Sequence, residues 1–415
     1  MSSPQAMGLI ALPPSENVKQ QHFEDLQYFL QDIFHEPDME AIKILLSIYV
    51  SHFYIQEKPI WSFLLGPSGS GKSEIGIRSL EHLHGVTTVT ELTPATFLSA
   101  YGENNGLLHR LSKENGGNGI IVFSDLTTLL NKQPNIRSEV IGILRRLYDG
   151  SYEKDVGNRK SQMKWQGKLT CIAACTPALE KYWSIHRSLG ERFLTLHWRR
   201  GDSRAAMLKA INQIGLEHDN QVEFKKLVRR FVQQESPHGI DRVITEAEKL
   251  FPIAKMVAWM RIEVDREQFS TKRSITGLSE MESPTRIVKS LTNLIRASAS
   301  LFRRKQACKE DYALALRLGI DSINRNRLRV VREVMKYPDM AASADDVRQS
   351  LVHIIARSSC RIVIEDLIYT QVLKQEKVGS DIFISPTQQF HDLWQETTAG
   401  CLDKFYEGAV DLGQG

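Results

Sequence analysis

The spacing of apolar residues predicts a chain that begins as an α/β fold and continues mostly as helices. Between residues 16 and 54, apolar side chains recur every three or four positions, which predicts two helices. Short apolar runs follow, and a helical segment at 72–84 separates the first from the second. These strand-like runs lie at 59–65, 86–92, 120–123 and 169–174. Apolar strands that alternate with helices predict a parallel sheet covered by helices on both faces.

After about residue 202 the pattern changes from strands to helices. Helical spacing dominates up to about residue 335, in segments at 224–234, 244–264, 287–302 and 312–318. Two helical segments, a short hairpin and a last helix then follow, at 344–355, 362–375, 378–384 and 388–396. Helices followed by a small hairpin predict a winged helix at this end of the chain.

These changes divide the chain into five regions. A length of 415 residues favours several domains, since single cores rarely grow past roughly 250–300 residues. We expect a flexible tail at 1–16, an α/β domain at 17–201, a helical lid domain at 202–335, a winged-helix domain at 336–400 and a second tail at 401–415.

Composition narrows the function only slightly. A formal net charge of +4 says little about nucleic acid, so local clusters of charge must carry that argument. The five cysteines form no Cys-x-x-Cys pair, which favours reduced, buried thiols over a zinc site. The apolar stretch at 42–50 is far shorter than the roughly 20 residues that cross a bilayer. The N-terminus also lacks the pattern of a secretion signal, so we expect a cytoplasmic protein without membrane contact.

A glycine-rich segment after the first predicted strand matches the phosphate-binding loop Gly-x-x-x-x-Gly-Lys-Ser. Glycines allow backbone N–H groups to turn toward phosphates, and the lysine reaches the β- and γ-phosphates. The serine hydroxyl ligates Mg²⁺. The motif therefore predicts binding of ATP and Mg²⁺ by Gly66, Pro67, Ser68, Gly69, Ser70, Gly71, Lys72 and Ser73.

The strand-like run at 120–123, which continues the Gly119 turn, ends beside Asp125. This is the place expected for an acid that holds Mg²⁺ or polarises the attacking water. Only one carboxylate is present there. If Asp125 takes the metal role, Leu126 stands where a catalytic Glu is expected. If Asp125 takes the water role, Ser124 stands where the metal ligand is expected. A purely structural alternative is that Asp125 caps the segment 126–130.

Together these motifs resemble the AAA+ ATPases, and among them the branch of the minichromosome maintenance (MCM) helicases and related ATPases of phages and mobile elements. The resemblance implies an α/β P-loop core with a helical lid, and assembly into rings, expected to be hexamers. The stretch Ile172 to Pro177 is similar to Ala-Ala-x-Asn-Pro of that family, which implies that Thr176 occupies the polar sensor position near the γ-phosphate. The alternative is a strand that ends at a Thr-Pro turn.

The resemblance also implies two arginines that contact ATP. The stretch 189–193 is similar to Ser-Arg-Phe of the family, in which the arginine enters the ATP site of a neighbouring subunit, so Arg192 is the candidate. Its competitors are Arg187, Arg199 and Arg200. The stretch 283–288 is similar to the family segment in which a lid arginine binds the γ-phosphate, which implies that role for Arg286.

Between the two strands that end near Asp125 and Thr176 lies a basic segment with a Gly-Asn turn, at 152–165. In MCM-like ATPases a hairpin at this place projects into the ring pore and grips DNA phosphates. The implied DNA contacts here are Lys154, Arg159, Lys160 and Lys164. A solvated hairpin without a DNA role is the alternative.

Two functions follow, and they differ in what ATP does. The first is a ring-forming ATPase that acts on DNA as a helicase or translocase. The second is a regulatory switch in which bound ATP controls assembly and the recruitment or loading of protein partners, without unwinding. The missing carboxylate favours the switch, and the basic hairpin with the predicted winged helix favours contact with DNA. A small-molecule kinase is disfavoured by the long helical C-terminal half.

Overall fold

The computed structural model describes residues 16–97, 106–154, 163–181, 192–199, 203–233, 243–267, 273–337 and 341–397. The predicted tail at 401–415 lies outside these residues, as does the tail at 1–16 except for its last residue. No helix within the described residues has both the length and the apolar character needed to cross a bilayer.

Five parallel strands form the central sheet in the order β2-β3-β6-β1-β7. The prediction of a parallel α/β sheet is therefore confirmed. The chain between β3 and β6 forms a separate antiparallel hairpin, β4–β5. These strands are β1 Trp61–Leu65, β2 Val86–Val89, β3 Gly119–Phe123, β4 Ser151–Lys154, β5 Met163–Gln166, β6 Leu169–Cys175 and β7 Phe193–His197.

Side chains on the two faces of the sheet pack into two separate clusters, because successive residues of a strand point to opposite faces. Leu64 lies in one cluster, whereas its neighbours Phe63 and Leu65 lie in the other. The ring of Phe63 stacks on that of Phe193 with the centroids 4.1 Å apart. Both faces are therefore covered, which explains why these strands are continuously apolar in the sequence.

Helices cover the two faces. A π-helical turn, Lys72–Ile77, leads directly into α3 and follows the glycine-rich loop. The remaining helices of this part of the chain are α1 Glu16–Ile33, α2 Met39–Tyr54, α3 Arg78–Glu81, α4 Pro94–Phe97, α5 Leu107–Asn115, α6 Thr127–Leu130 and α7 Pro134–Asp149. The predicted pair of N-terminal helices is confirmed as α1 and α2.

The rest of the described chain is mostly helical, with one hairpin and one small sheet. Its helices are α8 Ser203–Asn212, α9 Glu217–Val232, α10 Phe251–Met260, α11 Pro284–Leu301, α12 Lys309–Asp321, α13 Arg325–Val334, α14 Ala344–Ser350, α15 Arg357–Tyr369 and α16 Gln388–Thr397. Its strands are β8 Val264–Arg266, β9 Ile275–Leu278, β10 Ala342–Ser343, β11 Leu373–Val378 and β12 Asp381–Pro386. The last three pair in the order β10-β12-β11.

One cluster of buried apolar side chains runs from α1 through one face of the sheet to α16. It crosses both of the domain boundaries expected near residues 201 and 335. The contact between Trp259 and Phe390 is an example, since their rings meet edge to face with centroids 5.6 Å apart. The helical part and the C-terminal part are therefore packed against the α/β part through a shared core.

Three elements differ from the prediction. The strand β7 was missed, and it forms one edge of the sheet. The helix expected over 244–264 is confirmed only in part, because a 3₁₀ turn at Ala247–Leu250 leads into α10 and the chain enters the hairpin β8–β9 soon after Met260. The helix expected over 362–375 ends at Tyr369, where Gln371 adopts a φ of 61° and the chain turns into β11. The hairpin expected at 378–384 is confirmed with longer strands.

Candidate nucleotide-binding site

The glycine-rich loop connects the end of β1 to the helix that begins at Lys72, as predicted. Gly66 N donates to Cys175 O at 3.2 Å, and Trp198 N donates to Leu65 O at 2.7 Å, so β6 and β7 hold the start of the loop from both sides. Ser70 Oγ donates to Pro67 O at 2.8 Å and closes the loop on itself. The tip, from Pro67 to Gly69, is exposed.

Two glycines are required by this geometry. Gly71 has a φ of 81° and immediately precedes the helix, so a residue with a side chain would be strained there. At Gly66, an added Cβ would lie 3.0 Å from Cβ of Trp198. The glycine spacing of the motif therefore has a structural cause that is independent of any ligand.

Lys72 lies beneath the loop with a side chain that is almost completely buried. Lys72 as a whole is 8% exposed. Burial lowers the pKa of its ammonium group, whereas Cys175 and the Asp125 carboxylate act to raise it. No hydrogen bond or ion pair to the ammonium is found within the described part of the chain. A buried cation of this kind is suited to receive an anion in the loop. Ser73, the next residue, is exposed on the same turn.

Asp125 follows β3 at the same edge of the sheet and is exposed. Its Oδ1 accepts from Thr127 N at 2.8 Å, so one carboxylate oxygen holds the start of α6, which is the predicted capping role. Leu126 is 2% exposed and packs in the core beneath the sheet. The side chain at position 126 is thus part of the apolar core.

Thr176 lies between the loop and Asp125, because β6 lies between β1 and β3. Thr176 N donates to Thr127 Oγ1 at 3.4 Å, and the two threonine hydroxyls are also 3.4 Å apart. The carboxyl ends of β1, β6 and β3 thus bring Lys72, Thr176 and Asp125 to one edge. Ligands of open parallel sheets bind outside this edge.

A cavity of 440 Å³ opens beside the loop, on the side away from Asp125. Its apolar wall comes from the end of α1, from β7 and from α8, and includes Phe34, Trp198 and Met207. The indole Nε1 of Trp198 donates to Ser70 O at 2.9 Å, so this wall is attached to the glycine-rich loop. The volume lies in the range of small-molecule sites. The sequence reasoning missed this cavity, since its walls are distant along the chain.

A buried ion pair fixes the floor of that cavity. The guanidinium of Arg317, on α12, donates to both carboxylate oxygens of Asp38 at 2.6 Å each. Asp38 also caps α2 by accepting from Ala41 N at 3.1 Å, and it accepts from Arg199 N at 2.8 Å. The pKa of Arg317 is raised: burial opposes the charged form, but Asp38 more than compensates. The pair therefore ties α2, α12 and the end of β7 together.

Arg192 lies at the opposite edge of the sheet. It precedes β7, whose first residue pairs with Trp61, so it is about 16 Å of strand away from the loop. Its guanidinium lies 3.2 Å from Asp149 Oδ2 and 5.5 Å from the ring centre of Tyr148. The competitor Arg199 instead lies at the loop edge, where it donates to Glu40 at 3.3 Å. The other competitors, Arg187 and Arg200, lie outside the described residues.

Arg286 is exposed in the first turn of α11, also at the edge opposite the loop. Burial raises the pKa of the Tyr148 phenol, and the charges of Arg286 and Arg192 oppose that shift, so both arginines lie near one phenol. Tyr148 packs edge to face on Trp61, the first residue of β1, with centroids 5.3 Å apart. The structure therefore places Arg286 together with Arg192 and away from Lys72 of the same chain.

The stem of the predicted basic hairpin is confirmed as β4–β5. Trp165 anchors it, being 2% exposed with Nε1 donating to Gly117 O at 3.1 Å. Lys164 is exposed and pairs with Glu153 at 3.1 Å, and Lys154 is half-buried. Arg159 and Lys160, at the predicted tip, lie outside the described residues.

No protein-family model matches this chain. No curated protein matches it either. The resemblance to the AAA+ ATPases therefore stays a prediction carried by the motifs, and the geometry of the loop edge carries the functional argument.

Proposed function

We propose that the protein is a P-loop ATPase of the AAA+ type that binds and hydrolyses Mg²⁺-ATP and acts on DNA as a ring, in the manner of a helicase or translocase. The observation that carries the proposal is Lys72, a lysine that is only 8% exposed, beside a glycine-rich loop at the carboxyl edge of a parallel sheet. A triphosphate supplies the anion that such a site lacks. The N-terminus of the following helix adds a favourable field.

The cavity beside the loop suits the nucleoside half of the ligand. The base packs against Phe34, Trp198 and Met207, while the phosphates extend along the loop toward Lys72. The 440 Å³ cavity and the loop are joined through the hydrogen bond from Trp198 to Ser70. We therefore expect a nucleotide to bind more tightly than inorganic phosphate, since the cavity offers the nucleoside an apolar wall that phosphate alone does not use.

The residues present also fit Mg²⁺. This ion uses one or two protein oxygens, with phosphates and water completing its shell. Ser73 and Asp125 are both exposed at the loop edge, and the carboxylate of Asp125 is close enough to influence the pKa of Lys72. No cluster of three or more acidic, histidine or cysteine side chains suited to a metal occurs in the described ranges. When bound, the ion neutralises charge on the phosphates.

The two arginines at the far edge support assembly into a ring. Neither Arg192 nor Arg286 reaches the loop of its own chain, since the length of β1 separates them from it. A second copy placed head to tail brings this edge against the loop of its neighbour, and such heterologous contacts close into rings. Both arginines then stabilise phosphate charge on the neighbouring chain, which for Arg286 replaces the lid role expected from the sequence.

Contact with DNA is the remaining part of the proposal. The antiparallel stem β4–β5 supports it, because it carries Lys154 and Lys164, two of the four basic residues that the resemblance implies as DNA contacts. A winged helix, which is a second element suited to binding DNA, is supported at the C-terminal end. The supporting elements are the helices α13, α14 and α15 and the sheet β10-β12-β11.

A specific observation favours the alternative function, the nucleotide-controlled switch that recruits or loads protein partners. Asp125 holds the start of α6, and Leu126 is buried, so the position after Asp125 supplies no second carboxylate. Slow hydrolysis suits a protein whose ATP-bound form has to persist.

ATP binding and turnover by the full chain test both functions. We expect Lys72→Ala to lower turnover by roughly 10²–10³-fold, since it removes a cation that stabilises developing charge. We also expect single- or double-stranded DNA to raise wild-type turnover several-fold, and Lys164→Ala to reduce that rise, with Lys113→Ala on the exposed face of α5 as the control.

The outcomes separate the two functions. Strand separation on a bubble substrate, together with DNA-stimulated turnover, supports the helicase. ATP turnover that depends on Lys72 but does not change when DNA is added favours the switch. Equal ATP binding by the wild type and Lys72→Ala contradicts both.

A further inference from the structure

We propose that Glu91 is a catalytic residue that activates the attacking water, and so supplies the second carboxylate that Leu126 does not. The inference rests on the proposed ATPase function and names a residue that the P-loop motif does not contain. Hydrolysis needs an acceptor for the proton of water close to the γ-phosphate. In this chain the acceptor comes from the strand next to β3 and not from β3 itself.

The register of the sheet places Glu91 beside Asp125. β2 pairs with β3 in parallel, and Val89 is the partner of Phe123. Glu91 lies two residues after Val89, and Asp125 lies two residues after Phe123, so the two acids leave the sheet at the same level. Adjacent strands lie about 4.8 Å apart. The two carboxylates therefore occupy neighbouring places at the loop edge.

Local contacts hold Glu91 outward at this edge. The next residue, Leu92, is 3% exposed and returns to the core, whereas the side chain of Glu91 is 73% exposed. Thr96 Oγ1 donates to Glu91 O at 3.2 Å and fixes the backbone. The carboxylate of Glu91 lies 3.0 Å from Lys132 Nζ. Glu91 is therefore available to a water molecule at the edge.

The partner Lys132 connects Glu91 to the segment that follows Asp125. Lys132 lies just after α6, and its side chain is 21% exposed. The ion pair joins the loop after β2 to the segment after α6, and thus holds the Glu91 carboxylate toward that segment. Lys132 is in this respect a positioning residue.

Other carboxylates of the described edge are committed elsewhere. Asp38 is buried against Arg317 at 2.6 Å, on the far side of β1. Glu74 lines the cavity assigned to the base. Asp125 accepts from Thr127 N and is assigned to the metal. Glu91 pairs with Lys132, but its side chain stays 73% exposed, so it keeps both the position and the exposure that the water-activating role requires.

The chemical step balances with water and ATP as the only reactants. The oxygen of water forms a bond to the γ-phosphorus while one proton of that water passes to the Glu91 carboxylate. The bond between the γ-phosphorus and the bridging oxygen breaks, and its electron pair stays on that oxygen, which becomes part of ADP. Glu91 later returns the proton to solvent as phosphate leaves. General base catalysis of this kind contributes typically 10²–10⁴-fold to the rate.

The test is Glu91→Gln in the full chain, which keeps the size of the side chain and a hydrogen-bond acceptor for Lys132. We expect ATP turnover to fall by about 100-fold or more while the dissociation constant for ATP, measured by calorimetry, stays within about threefold. Nucleotide retained after incubation with ATP should be mostly ATP in the variant and mostly ADP in the wild type. Glu139→Gln, on the exposed face of α7, is the matched control and should behave as the wild type.

The outcomes separate this inference from the proposed function. If Glu91→Gln hydrolyses ATP within about twofold of the wild type, the role of Glu91 is overturned and the ATPase remains. If the wild type binds ATP through Lys72 but does not hydrolyse it, the role of Glu91 is likewise overturned. If Lys72→Ala binds ATP as well as the wild type does, the proposed function fails, and the role of Glu91 fails with it.

Discussion

The two ends of the central sheet differ in how their charged groups are satisfied. At the carboxyl edge, Lys72 is buried beneath a loop of exposed backbone, without a hydrogen-bond partner among the described residues. At the amino edge, Arg192 is paired with Asp149 and packed on Tyr148, and Arg261 pairs with the buried Glu282 at 3.2 Å. The strands that connect these ends are the same, so the difference comes from the loops.

This difference supports the proposal that the carboxyl edge receives a small ligand and the amino edge a protein surface. A buried cation without a partner is stabilised when an anion arrives, so the carboxyl edge is suited to bind phosphate. Arginines held by ion pairs at an edge are already ordered, and ordered side chains lose little entropy in a contact with another chain. Of the three predictions below, the first tests this assignment and the other two test a buried group near each edge, from the largest expected effect to the smallest.

The largest effect is expected at the amino edge. Arg192→Ala should lower ATP turnover by about 10³-fold or more, with little change in ATP affinity, because the arginine acts on charge that develops in the neighbouring site. Turnover and affinity are measured separately on the assembled protein. Arg192→Lys should not restore activity, since lysine lacks the planar fork of donors.

Mixing two inactive variants tests whether this arginine acts between chains. A mixture of Arg192→Ala with Lys72→Ala contains some interfaces in which an intact loop meets an intact arginine, so turnover should partly return. If each variant assembles as the wild type does and the mixture stays inactive, the assignment of the amino edge to a neighbouring loop is wrong.

The second effect concerns the buried pair that supports the cavity. Arg317→Met should lower the free energy of unfolding by about 3–5 kcal/mol, because it leaves the carboxylate of Asp38 buried without a counter-charge. Denaturant unfolding measures the change. Arg230→Met is the matched control: its ion pair with Asp25 is over a third exposed on both sides and should contribute less than about 1 kcal/mol. Similar losses for both variants would contradict the role given to Arg317.

The smallest effect is a pH dependence at the amino edge. His52 is buried, its Nδ1 lies 2.9 Å from Thr170 Oγ1, and burial, with Lys168 adding to it, lowers the pKa of the imidazole to about 3. Below pH 6.5 the unfolded chain binds a proton that the folded chain does not, so stability falls as the pH decreases. Between pH 6.5 and pH 5 the expected loss is roughly 2 kcal/mol.

The matched variant for this prediction is His52→Asn, which keeps a polar atom near Thr170 but does not titrate. Its unfolding free energy should depend less on pH over the same interval than that of the wild type. Parallel pH profiles for the two proteins would show that His52 is not the titrating group.

Local patterns predicted the parts of the molecule that depend on neighbours in sequence. The helix and strand assignments around β1 and β3 are confirmed, because short apolar runs and glycine turns carry their own signal. The strand β7 was missed although it is as long as β1 and β3, since Thr195 and His197 interrupt its apolar run. The hairpin β8–β9 was missed because its strands are short and only partly buried.

The site shows the same division. The eight residues of the glycine-rich loop and Asp125 follow from the sequence, since the phosphate contacts depend on backbone turns that the local residues dictate. Three other features depend on strand order and register. Arg286 lies near Arg192, Trp198 forms a wall of the cavity, and Glu91 and Asp125 follow neighbouring strands at the same level. Strand order and register join segments that are distant along the chain. Such long-range pairing does not produce a periodic pattern of residues in the sequence. The sequence by itself thus determined the position of the glycine-rich loop at which we propose that phosphate binds, and only the tertiary structure decided which side chains surround that loop.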